Sequence, residues 1–298
     1  FYYTPPTDYL AICSANLPIA DAIDPAQTDD NFPQKLFNTV LYTGNGSTQN
    51  ITGVGFKPDL AWIKRRNATQ SHRLADSTRG AKTLYPDDSI DEDDMAISYT
   101  SDGFDWGSGT GVANNANANG GTYAAWNWRA NGGTTAANSV GGTSSVTQVD
   151  PSKALSIVTY TGFSGSSGSS TVGHGMGVAP AMIIHKSRTR DSGWWTQFPN
   201  LLTNAGYFLD LSGTGAQTDL NSYGTMNVPT TSVFTINGVD GVGGESANYV
   251  AYCFANIEGY CKVGSYEGNG NANGTFVYTG FRPAFIMTKS IDSTSNWQ

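Results

Sequence analysis

Charge is scarce in this sequence. Asp, Glu, Lys and Arg make up 13% of its 298 residues, about half the roughly 25% usual in soluble proteins. The charge present leans acidic, 24 carboxylates against 16 basic side chains for a net −8, which argues against a nucleic-acid backbone binder, because such proteins cluster Lys and Arg. No apolar run approaches the ~18 residues of a membrane-spanning helix, and no long 3.6-residue period occurs. The three cysteines, Cys13, Cys253 and Cys261, cannot all pair internally, and without a Cys-x-x-Cys spacing no zinc site is expected. Cys253, in the apolar run Tyr249 to Phe254, reads as a small buried hydrophobe. The three histidines, His72, His174 and His185, form none of the paired spacings that chelate a catalytic metal. His185 reads as a strand-end position near the surface and His174 as part of a turn.

Glycine and aromatics are plentiful instead: 36 Gly, 15 Tyr, 13 Phe and 7 Trp. Large buriable rings argue against disorder, and frequent turn residues between short apolar runs point to β structure. One pattern recurs. Gly53-Val54-Gly55-Phe56-Lys57-Pro58 leads into Leu60 to Lys64; Gly175-Met176-Gly177-Val178-Ala179-Pro180 into Met182 to Lys186; and Tyr278-Thr279-Gly280-Phe281-Arg282-Pro283 into Phe285 to Lys289. The prolines are 122 and then 103 residues apart. A Tyr-x-Ala pair closes each full copy, Tyr123-Ala124-Ala125-Trp126 and Tyr249-Val250-Ala251-Tyr252. Proline at the head of a strand does least harm to a ladder, and the apolar run after it has the length of a strand buried on both faces.

The expected fold is therefore all-β: tandem antiparallel β-sandwich modules of about 110 residues, concanavalin- or jelly-roll-like. Residues 1–38 read as an extended Pro-rich arm, 39–131 as a first module, 132–152 as a Gly/Ser/Thr linker, 153–260 as a second module and 261–298 as a truncated third. Because the sequence opens on Phe1 and its last residues read as strand, a segment of a longer polypeptide is expected.

Candidate sites are few. The densest polar cluster is His72, Arg73, Asp76 and Arg79; with no nucleophile or second base beside it, it reads as an ion-paired brace. The acidic run Asp87-Asp88 and Asp91 to Asp94 has the ligand type calcium prefers but lacks the glycine and terminal glutamate of a calcium loop, so a solvated loop is expected. Trp106, Trp194 and Trp195 are the candidate platforms for a sugar ring. Neighbours on a strand face opposite ways, so one of Trp194 and Trp195 can pack inward while the other stacks outward. Trp62 and Trp126 read as core.

The run Gly53 to Arg66, then Ser71-His72-Arg73-Leu74-Ala75-Asp76-Ser77-Thr78-Arg79-Gly80, Ser101-Asp102-Gly103-Phe104 and Tyr123 to Trp128 resembles a repeat domain of uncharacterised function. That domain occurs in virion structural proteins of tailed, often marine, phages. The opening Tyr3-Thr4-Pro5-Pro6 with Leu10 to Pro18 looks like the segment that follows a SPRY-type sandwich in such proteins. The resemblance implies a virion location and a non-enzymatic fibre or capsid-decoration role in host attachment. Its expected partners are other virion proteins, further copies of itself (a trimer favoured) and a host glycan or envelope protein. It implies no cofactor, metal, nucleic acid or membrane insertion, and no catalytic residue. A free-standing carbohydrate-binding module is the alternative; a depolymerase would need two converging carboxylates.

Overall fold

The computed structural model describes residues 32–107 and 115–298; the expected arm lies almost wholly outside them. The first module contains β1 (Phe37–Thr43), β2 (Gln49–Ile51), β3 (Leu60–Arg65), β4 (Arg73–Asp76), β5 (Lys82–Thr83), β6 (Asp93–Asp94), β7 (Ile97–Thr100), β8 (Gly103–Trp106) and β9 (Thr122–Trp128). A four-stranded sheet in the order β1-β9-β3-β4 faces a three-stranded one, β2-β8-β7. Between them lies a core that includes Ile51, Ala61, Ile63, Phe104, Trp106, Tyr123 and Ala125.

The stretch expected as a linker is instead part of a sheet. β10 (Ala136–Asn138) and β11 (Ser145–Val149) pair with each other and then with β12 (Leu155–Thr161). The second module continues through β13 (Ser169–Gly173), β14 (Met182–Ser187), β15 (Trp195–Gln197), β16 (Tyr207–Asp210), β17 (Thr218–Asp219), β18 (Val233–Asn237) and β19 (Asn248–Phe254). Its large sheet runs β10-β11-β12-β19-β14-β15-β16-β17 and its second layer is β13-β18. Every pairing between these strands is antiparallel, and the fold is an all-β sandwich pair.

The two modules share one plan. β1-β9-β3-β4 corresponds to β12-β19-β14-β15, in matching register: Trp62 lies opposite Trp126 and Ile184 opposite Tyr252. Tyr42 stacks on Tyr123 at 4.9 Å and Tyr160 on Tyr249 at 5.3 Å, each cross-strand pair edged by a phenylalanine, Phe104 or Phe234. The glycine three residues before each repeat proline has φ of +86° at Gly55, +72° at Gly177 and +83° at Gly280. Side chains rarely tolerate that conformation, so the repeated glycine reflects backbone geometry even where space is open.

Strand alternation sorts the apolar run after each proline. Ala61 and Ile63 enter the first module's own core, and Ile183 the second's. Leu60, Trp62, Met182 and Ile184 point the other way, into a third cluster between the modules. Phe285 and Met287 pack on the same cluster. Among the described residues, 261–298 form no named strand, yet Thr288 and Gln298 exchange backbone hydrogen bonds of 3.0 Å in both directions.

Candidate functional site

The chemistry-bearing side chains gather along the seam between the modules. Asp76 ends β4, and the tight turn after it returns Arg79 over its carboxylate, with Arg79 Nε donating to Asp76 Oδ2 at 2.6 Å. Both side chains are fully buried. Arg79 also donates to Leu74 O, the Tyr252 hydroxyl and Glu92, while the Tyr252 O–H donates to Asp76 Oδ2 at 2.7 Å. Burial works against the Arg79 charge, but Asp76, Tyr252 and Glu92 hold its pKa above the ordinary guanidinium value. Glu92 meanwhile accepts two hydrogen bonds from Arg188 of the second module, at 2.8 and 3.0 Å. Two residues of the expected cluster therefore tie the modules together.

The other two lie elsewhere. Arg73 points to the opposite face of β4 from Asp76 and stacks over the Tyr85 ring at 4.3 Å. His72 sits at the strand's entrance, its Nδ1 accepting from the Trp62 indole N–H at 2.8 Å. Burial, then the nearby Lys64 charge, lower its pKa to about 4.

The tryptophans correct the platform expectation. Trp106 is 2% exposed and Trp194 is 0%, so neither offers a ring face. Trp194 enters the seam and its indole donates to Tyr85 O (2.8 Å) and Asp88 O (3.0 Å) of the first module. Trp195 faces the other way, as alternation requires, but packs beside the second module's core with its indole donating to Asp240 O. Part of its ring stays exposed. Trp62 and Trp126, read as core, are half-buried and line a cleft with His72.

Sequence reasoning missed the repeat lysine. Lys186 is fully buried and donates to Ser89 O at 2.8 Å and Ser192 O at 3.0 Å; burial lowers its pKa to about 8. Three further bonds cross the same seam: Ser192 N to Ser89 O, Glu92 N to Arg188 O, and the Trp194 indole to Tyr85 O. The set recurs where residues 289–297 meet the second module. Lys289 Nζ donates to Thr214 O (3.3 Å), Ser295 N to Thr214 O (2.9 Å), Gln217 N to Ile291 O (2.9 Å) and the Trp297 indole to Asp210 O (2.9 Å). Counted from the lysine, the participating positions are identical. A signal existed in the sequence, since an aromatic ring eight residues past each lysine (His72, Trp194, Trp297) accompanies the motif.

The remaining groups serve the fold. Within the acidic run, Glu92 pairs with Arg79 and Arg188, Asp94 with Lys82, Asp93 accepts from the Tyr85 hydroxyl and Asp87 from His72 N, and no group of His, Cys, Asp or Glu among the described residues is arranged to hold a metal. Cys253 and Cys261 are free thiols, the first buried. His185, expected near the surface, lies fully buried inside β14 against Phe208 and Phe234.

Burial lowers the His185 pKa to about 3 from an ordinary 6.5. The unfolded chain thus binds the extra proton between those values, so stability is complete above about pH 6.5 and falls as pH drops. On linkage grounds His185 alone removes about 2 kcal/mol by pH 5, with His72 and His174, both also lowered by burial, acting in the same direction. Ile63 holds the equivalent place in the first module. Replacing His185→Ile is expected to shrink the difference between urea midpoints at pH 7 and pH 5; an unchanged difference would rule out His185 as its source.

No curated protein and no solved structure matches this chain. Residues 32–298 match the model of a domain of unknown function, DUF7483, and the chain, matched over most of its length, belongs to that family.

Proposed function

We propose that this chain is a non-enzymatic structural protein of a phage virion, part of a fibre or decoration appendage that holds loops toward the host surface. The supporting observation is where the reactive groups lie. Asp76, Arg79, Glu92, Lys186 and Trp194 are all engaged in locking one sandwich against the next. A rigid modular rod or plate is what an extracellular appendage requires, and low charge with polar loops suits weak contacts multiplied by avidity. The sequence resemblance to phage repeat domains supports the same role, including assembly with further copies and other virion proteins.

The reading as a free-standing carbohydrate-binding module now rests on Trp195, since Trp106 and Trp194 are buried. The deciding experiment is mass spectrometry of density-purified particles from an infected culture. The chain is expected there in fixed stoichiometry with the other particle proteins. Its absence from particles, with abundance in the soluble fraction of the same lysate, would remove the virion role.

A further inference from the structure

The bonding set on the seam has a third potential instance. Lys64 and His72 occupy the places of Lys186 and Trp194, and of Lys289 and Trp297. Among the described residues no other module docks on this edge: Lys64 Nζ donates to Gln70 O in its own loop, and His72 bonds to Trp62 and Asp87 within the first module. Because His72 Nδ1 accepts the indole proton, the neutral ring carries its own proton on Nε2. That leaves a ring N–H donor where Trp194 and Trp297 present an indole N–H. A cleft of about 430 Å³ opens beside it, lined by Trp62, His72 and Trp126 of the first module, Leu211 of the second, and Phe285 and Trp297 of the third copy.

Among the described residues, the third copy independently lacks a covering layer. The second and fourth residues after each proline (Leu60 and Trp62, Met182 and Ile184, Phe285 and Met287) all join the shared cluster between modules. The residue between them should enter its own module's core, as Ala61 and Ile183 do. Ile286 instead is 68% exposed, and Tyr266, Phe276 and Tyr278 of the same copy are bare as well. Thr288 and Gln298 hold the register that pairs Ile63 with Arg73 and His185 with Trp195.

We propose that the Lys64–His72 cleft is the seat of the second half of a third module. It enters in the register Gln298 sets, covers Ile286, and presents a loop equivalent to Tyr85–Glu92 and Asp210–Gln217 to Lys64 and His72. Three modules then close a pseudo-threefold ring around one shared apolar core, each gripping its neighbour by the same bonds. A second copy of the chain is the weaker fit, because both loops able to dock are already held by Lys186 and Trp194 and by Lys289 and Trp297. The proposal is independent of any virion role.

The test extends the chain after Gln298 with a copy of residues 196–262, and separately with a copy of 74–131. Neither stretch contains histidine. His174 and His185 are fully buried, so deuterium labelling at the imidazole C2–H, read by mass spectrometry, reports on His72. At least one extended chain is expected to be monomeric with His72 labelled tenfold or more slowly than in the parent. Labelling at the parent rate in both extended chains, with the first two modules folded by circular dichroism, overturns the proposal. So does concentration-dependent protection of His72 in the parent, which would make a second copy the occupant.

Discussion

Trp194→Ala is expected to cost about 3–5 kcal/mol, the range for emptying a fully buried large aromatic site. The indole fills the seam, and its N–H serves two carbonyls, Tyr85 O and Asp88 O, that lie over a hundred residues away in the chain. Removing it opens a cavity at the joint and leaves both acceptors without that donor. The physical consequence reaches beyond a lower midpoint: with the seam loosened, the sandwiches lose their reason to unfold together. Chemical denaturation followed by tryptophan fluorescence and by circular dichroism should then give two separate transitions where the parent gives one. Trp194→Phe separates the contributions, keeping most of the packing while losing the N–H, for about 1–3 kcal/mol. Trp195→Ala, at a partly buried ring on the other face, should cost distinctly less. Equal losses at the two tryptophans would contradict the seam as the origin.

Asp76→Ala should be comparably damaging for an electrostatic reason. It strips the fully buried Arg79 guanidinium of its main counter-charge and takes an acceptor from the Tyr252 hydroxyl. Breaking one partner of a buried ion pair typically costs about 3–5 kcal/mol, whereas exchanging both for apolar groups of similar size is often nearly neutral. The double change Asp76→Leu with Arg79→Met is therefore expected to recover much of the loss, and a double-mutant cycle reads the coupling directly. A double variant as unstable as Asp76→Ala would show that Glu92 and Tyr252, rather than the charge pair, carry the joint.

The contrast between the two tryptophans marks how far the sequence could be read. Adjacent positions on a strand face opposite ways, and Trp194 and Trp195 do. Nothing local, however, reveals that Trp194 meets a wall built by residues 85–88. The polar cluster divided for the same reason: period two sends Arg73 and Asp76 to different faces, and only the neighbouring module supplies Tyr252. The stretch 132–152 misled in another way. Its small polar residues resemble a linker, but a strand added to a sheet edge is held by backbone hydrogen bonds and needs few apolar side chains, as β10 and β11 show. His185 ended an apolar run and so suggested the surface; burial against Phe208 and Phe234 holds it neutral within the core.

By itself, the sequence determined the local geometry. The glycines three residues before each proline, the prolines that begin the strands, the doubly buried runs and the Tyr-x-Ala return strands are dictated by backbone sterics and side-chain periodicity, and they suffice to specify repeated β modules. Only the tertiary structure decided what the outward faces do. Whether Trp194 stacks on a ligand or seals a joint, and whether the lysine ending each run meets water or a neighbour's carbonyls, depends on surfaces brought together from distant parts of the chain, which no local pattern encodes.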